Sequence, residues 1–132
     1  MWKILVALPF ALFVAMIAQQ PAQAPAIPAD AVAMQNPVKR SPESLAHAKA
    51  LYGIDCAMCH GQNGDGNGDV VPDLKLKMKD FTDPAVLKGR TDGELFYIIK
   101  NGDDNQKMPP EGSRAKDDDI WALVNYLRTL QK

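Results

Sequence analysis

Cys56-Ala57-Met58-Cys59-His60 is the place in this chain where residue types and spacing converge on a reaction centre. Two thiols three residues apart can add to the two vinyl groups along one edge of a porphyrin. A histidine directly after the second thiol is then placed to bring its imidazole under the ring to the iron. The motif points to one covalently bound haem c, with Cys56 and Cys59 as thioether residues and His60 as an iron ligand. A bare Cys-x-x-Cys also suits a zinc site or a thioredoxin-like redox pair. Zinc needs two further ligands, and with only two cysteines in the chain just His47 and carboxylates are left to supply them. A redox pair belongs on a βαβ framework, which the sequence does not provide.

The stretch after His60, Gly61 to Asp69, holds four glycines and reads as a loop. Asn63, Asp65, Asn67 and Gly68 follow the early spacing of an EF-hand calcium loop. The first position is Asn, however, and the twelfth is Leu74 where a bidentate Glu is needed. A tight turn around a buried group accounts for the glycines better. The same run fails as a dinucleotide fingerprint, because Val71 stands at the third glycine position.

Helices must carry this motif. Ser41-Pro42 is an N-cap followed by proline at the first helical position, which predicts a first helix running to about Cys56. Thr91-Asp92-Gly93-Glu94 is a capping box, and its helix runs through Leu95, Phe96, Ile98 and Ile99 to stop at Asn101-Gly102. Ile120, Leu123, Val124, Leu127 and Leu130 repeat at helical spacing behind the acidic run Asp117 to Asp119, whose charges suit a helix N-terminus. Trp121 and Tyr126 read equally as haem-edge or core aromatics. His47, on the first helix, reads as a solvated histidine. Lys75, Lys77 and Lys79 alternate with Leu76 and Met78, so an extended backbone there puts three amines on one face, either solvated or used for docking.

The 132-residue length suits one compact domain. With 15 basic against 16 acidic residues there is no basic field to recruit nucleic acid. Residues 1–24 read as a signal peptide: Lys3 precedes an apolar run from Ile4 to Ala18, and Ala22-Gln23-Ala24 offers a cleavage site. That run is shorter than the ~20 residues of a spanning helix, so cleavage and export to the periplasm are expected, with membrane association only if the signal is retained. Residues 25–41 are rich in Pro and Ala and read as a linker or loose arm, with Pro25, Pro28 and Pro37 breaking any helix. Residues 42–132 form the folded domain.

From about Ser44 to Leu130 the sequence resembles the class I cytochromes c. Beyond the haem motif, the resemblance rests on Pro72-Asp73-Leu74, on Met108-Pro109-Pro110 and on Asp119 to Leu130. It implies an all-α fold, a cytochrome c-like domain of about four short helices around one covalently bound haem, with first and last helices crossed. It also implies that the Pro72 carbonyl accepts a hydrogen bond from the His60 imidazole, fixing its tautomer, and that Met108 is the second axial ligand of the iron. Met58 lies on the His60 side, Met34 in the arm, and Met1 and Met16 leave with the signal. Met78 is the competitor, much closer to His60 in sequence. Pro109 and Pro110 favour an extended, stiff strap around Met108. Leu74, Phe81, Leu87, Leu95, Phe96, Ile99 and Leu123 are the apolar haem-box candidates. Two positions depart from the family pattern. Ala48 replaces a frequent glycine at the helix crossing, with Tyr126 expected opposite it, and Lys116 replaces a Ser or Thr cap, which moves the expected cap to Asp117.

The function implied is electron transport by an exported, non-enzymatic carrier between a redox protein donor and acceptor. A dedicated haem c subunit of a dehydrogenase or oxidase complex is the alternative, and a haem enzyme or sensor with an open sixth position is a third. If both cysteines form thioethers, haem stays with the polypeptide through acid-acetone extraction and denaturing electrophoresis. Replacing either Cys56 or Cys59 with Ala shifts the pyridine haemochrome band toward that of a vinyl-bearing haem, and haem lost from the unaltered chain refutes the attachment.

Overall fold

The computed structural model describes residues 26–132, so the expected signal peptide lies outside the described residues. The described residues form seven α-helices and one 3-10 turn: α1 (Ala29–Ala33), α2 (Pro42–Asp55), α3 (Ala57–His60), α4 (Val71–Leu74), α5 (Pro84–Leu87), α6 (Asp92–Asn101), a 3-10 turn (Asp104–Gln106) and α7 (Asp117–Leu130). Three of these, α2, α6 and α7, are long enough to carry packing faces. The others are single turns that bend the chain between them, so the expectation of about four helices undercounts the short pieces. Among the described residues no helix is long and apolar enough to cross a membrane.

The long helices begin where their caps place them. Ser41 caps α2: its hydroxyl accepts the Ser44 N–H at 3.1 Å, and the Ser44 hydroxyl accepts the Ser41 N–H at 2.9 Å. Thr91 and Glu94 do the same for α6, at 3.1 and 2.7 Å. The cap of α7 is Lys116 rather than the expected Asp117. The Asp119 carboxylate reaches back to accept the Lys116 N–H at 3.4 Å, so this start depends on the acidic third position and needs no acceptor from the cap residue itself.

Helices α2 and α7 pack against each other, and α6 closes on α7. Ala48, Ile120 and Val124 are completely covered at the heart of this arrangement. The small Ala48 side chain lets the two helices approach without a gap. The Tyr126 ring meets Tyr52, one turn beyond Ala48 along α2, at 5.2 Å in a tilted arrangement.

The largest departure from expectation is the arm. Residues 26–40 are docked rather than loose, and the alanines after Pro28 do form a turn of helix, α1, which lies against α6. Gly93 makes that contact possible, because a Cβ there would run into the Ala31 carbonyl oxygen. Asn125 on α7, only 4% exposed, is the anchor. Its amide nitrogen donates to the Val38 carbonyl at 2.9 Å, and its oxygen accepts from Asn36 Nδ2 at 3.1 Å and Arg40 Nε at 3.2 Å. Asn36 also donates to the Trp121 carbonyl at 3.1 Å, and Thr91 Oγ1 to the Val32 carbonyl at 2.8 Å. A buried amide satisfied on both ends stabilises, whereas stripping it leaves its partners unpaired. Asn125→Ala therefore lowers stability by about 1–3 kcal/mol in a denaturant titration and opens residues 26–40 to proteolysis; unchanged protease resistance would show that the arm is held by other contacts.

Candidate haem site

Helix α2 ends at Asp55, and Cys56 leads directly into α3, with His60 N–H donating to the Cys56 carbonyl at 2.9 Å. Within this turn Cys56, Cys59 and His60 stand at i, i+3 and i+4, which is one face. All three line a single cavity of about 480 Å³, a size typical of cofactor sites. The chain then leaves through Gly61, whose φ of 79° closes the turn. At the far end of the glycine loop, Gly68 passes against the turn so closely that a Cβ would collide with the Met58 carbonyl oxygen. The glycines thus fold the loop tightly beneath the motif, and Gly66 N–H donates back to the His60 carbonyl at 2.8 Å.

The His60 ring lies parallel to Phe81, with centroids 4.8 Å apart. Burial pushes its pKa below the ordinary histidine value, the direction that favours the neutral imidazole a metal ligand needs. Its Nδ1 is buried without a hydrogen-bond partner. Such an orphan is unusual in a finished structure. The Pro72 carbonyl, expected to accept from it, here accepts the Lys75 N–H at 3.3 Å; a carbonyl has two lone pairs, so one stays available.

Burial, then the nearby Glu111 and Asp55 carboxylates, push the Cys56 thiol up to about 12. A thioredoxin-like nucleophile requires the opposite shift. Among the described residues no group of three or more His, Cys, Asp or Glu is placed to hold a metal ion, which disfavours a zinc reading.

The rest of the cavity comes from elements distant in sequence. Five of the seven apolar candidates line it: Phe81, Leu87, Leu95, Ile99 and Leu123. Leu74 is instead exposed, and Phe96 faces the other way to stack on Trp121 at 4.1 Å, so neither Phe96 nor Trp121 borders the cavity. Tyr52, Leu76, Val86, Ile98 and Leu127 complete the apolar wall. Of these, Leu127 belongs to the helical repeat of α7, whereas Tyr52 and Val86 carry no local sign of their role. Arg128 steadies the neighbouring rim: its guanidinium donates to Asp92 Oδ1 at 2.9 and 3.0 Å and to the Arg90 carbonyl at 2.6 Å. Two free thiols, a neutral imidazole with an unpartnered nitrogen, and a largely apolar wall are the donor set and surroundings that a covalently held haem requires.

Met108 and Met78 both reach this cavity. Met108 sits in a closed loop, where its N–H and C=O exchange hydrogen bonds with Asp103 at 2.9 Å each. Met78 belongs to the stretch after α4, in which Lys75, Lys77 and Lys79 are exposed and Leu76 and Met78 half-buried; Lys75 is left-handed, with a φ of 50°, so the extended backbone expected here does not include it. His47 is a surface group paired with Asp119 at 2.8 Å. Sequence reasoning missed Glu111, a 4% exposed carboxylate on the cavity wall. Flanked by Pro110 and Gly112, it reads as an ordinary loop residue.

The family described as cytochrome c oxidase, cbb3-type, subunit III matches residues 43–127. The chain is 35% identical over 80 residues to the cbb3-type cytochrome c oxidase subunit FixP of Azorhizobium caulinodans, a stretch covering 61% of this chain and 25% of that protein. It is 43% identical over 58 residues to the quinohemoprotein alcohol dehydrogenase ADH IIB of Pseudomonas putida, covering 44% of this chain and 8% of the relative. The chain thus spans a quarter or less of the length of these curated relatives. Among solved structures, the KustC0563 c-type cytochrome superposes with a TM-score of 0.56 at 25% identity, over 64% of this chain and 98% of its own. A chain of the Kuenenia stuttgartiensis reducing HAO-like protein complex Kustc0457/Kustc0458 shares the fold, with a TM-score of 0.64 at 22% identity over 75% of this chain and 50% of that one.

Tyr52 is the buried group that ties α2 to the motif. Its hydroxyl donates to the Gly61 carbonyl at 2.9 Å, directly after His60, and burial raises its pKa so that it remains a donor across the working pH range. Tyr52→Phe removes this bond and costs about 1 kcal/mol of holoprotein stability in guanidinium unfolding; an unchanged midpoint would mean that the bond contributes nothing net.

Proposed function

Because the chain belongs to the cytochrome c oxidase, cbb3-type, subunit III family and is a single-haem cytochrome c with covalently bound haem c, we propose that it is an exported, periplasmic electron-transfer protein with His60 and Met108 as axial ligands. The observation that carries this reading is the meeting of Cys56, Cys59, His60 and Met108 on one largely apolar cavity. Bound haem c supplies a one-electron ferric/ferrous couple. The protein's own contribution is positional. Cys56 and Cys59 hold the cofactor by two bonds, and α3 presents His60 in its neutral form. Pro72 is the acceptor proposed for the imidazole N–H.

The apolar wall excludes water and so disfavours the additional positive charge of ferric iron, which raises the potential. A thioether opposite histidine acts in the same direction. His60 and Met108 would together leave the iron no open position, so that the protein would pass electrons between a redox donor and acceptor without catalysis at the metal. The exposed Lys75, Lys77 and Lys79 lie on the segment that also turns Leu76 and Met78 into the cavity, which supports an acidic docking partner. A role as the haem c subunit of a larger redox complex is supported by the relatives, one an oxidase subunit and the other a quinohemoprotein dehydrogenase.

Met108 is preferred to Met78 because the Asp103 bonds and the two prolines after it preorganise its strap. Met108→Ala abolishes the weak far-red absorption band of thioether-ligated ferric haem and lowers the potential, while Met78→Ala leaves both intact. The reverse pattern in the two variants would transfer the ligand role to Met78.

A further inference from the structure

Glu111 is the one charged residue among the buried described residues, and the proposed reaction gives it no task. It stands three positions after Met108, across Pro109-Pro110, so a displacement at 111 is transmitted along a stiff segment to the thioether side chain. Beyond the Asp103 bonds of Met108, the backbone of this strap is tied to α6: Glu111 N–H donates to the Ile99 carbonyl and Gly112 N–H to the Lys100 carbonyl, both at 2.9 Å. The link to the other side of the cavity is made by side chains. The Arg114 guanidinium pairs with the Glu111 carboxylate and also lies 3.7 Å from Asp55, the residue before Cys56. Among the described residues this is the one polar connection between the strap and α2. Asp55, Glu111 and Arg114 all border the same cavity as Met108.

We propose that Asp55, Arg114 and Glu111 form a clamp that holds the Met108 strap to the end of the attachment helix, making Arg114 a positioning residue that governs how readily Met108 yields its place to an external ligand. The proposal rests on Met108 being an axial ligand. A carboxylate as deeply covered as Glu111 persists only with its charge compensated. Without the guanidinium the carboxylate moves toward water, taking the strap with it, or takes up a proton, and in either case the strap loses its polar link to α2. The Asp55 end of the clamp contributes less, since that pair is long and its guanidinium is half-exposed to solvent.

The test uses the full-length holoprotein, with free imidazole as the probe of the ferric state. Arg114→Met weakens the far-red band and tightens imidazole binding by about ten-fold or more, because the competing Met108-bound population falls. Arg114→Lys, which keeps the charge but not the fork, restores part of both readouts. Asp55→Asn leaves the Glu111–Arg114 pair whole and produces a smaller increase of the same sign, so it tests the clamp even if Arg114→Met fails to accumulate. His47→Gln, which removes the surface pair with Asp119 away from the cavity, leaves the far-red band and imidazole binding unchanged. Imidazole affinities for the Arg114 and Asp55 variants equal to that of the unaltered protein, alongside a Met108→Ala variant that has lost the band, would overturn the clamp and leave the ligand assignment standing. Retention of the band in Met108→Ala would overturn both.

Discussion

Covalent attachment through a five-residue motif forces every other part of this protein to come to Cys56–His60. Cys56, Cys59 and His60, the proposed thioether residues and iron ligand, come from one helical turn, so their mutual geometry is set by chain connectivity. What remains is to build walls around that turn from segments far away in sequence. The α2–α7 packing supplies the frame, since α2 delivers the motif at its end and α7 presents Leu123 and Leu127 to the cavity. Helix α6 adds Leu95 and Ile99 and launches the strap that returns with Met108.

The electrostatic character of the site follows from the same enclosure. Burial lowers the pKa of His60 and raises that of the free Cys56 thiol, and it leaves Glu111 with Arg114 as its compensating charge. A histidine ligand needs an available lone pair, and a thiol that is to be consumed in a thioether has no need of a low pKa. A buried carboxylate, by contrast, is costly to keep. Its position between the strap and the attachment helix is where such a cost gains a use, because a charge that must stay paired holds two segments together.

Local signals were the legible part of the sequence. The haem motif, the Ser41-Pro42 start, the Thr91–Glu94 box and the apolar repeat of α7 each depend on neighbours within one or two turns, and each forms where those neighbours place it. Features decided by distant partners were not legible. Asn125 looks like a polar interruption on α7, and only the docked arm shows that it is buried with all its amide groups in use. The arm itself has the composition of a linker, yet Gly93 leaves room for α1 to approach. Phe96 fits the apolar pattern of α6 but lies on the side of that helix facing Trp121 rather than the cavity. Periodicity identifies an apolar face and does not say which of two apolar neighbours that face will meet.

The central claim is that side chains fill both axial positions, so that the protein carries electrons and binds nothing at the metal. Carbon monoxide added to the anaerobically reduced holoprotein at neutral pH tests this most directly, because it binds ferrous haem wherever a coordination position is open. The account predicts a low-spin ferrous spectrum that carbon monoxide leaves unchanged; immediate conversion to a carbon monoxide complex in the unaltered protein would contradict it.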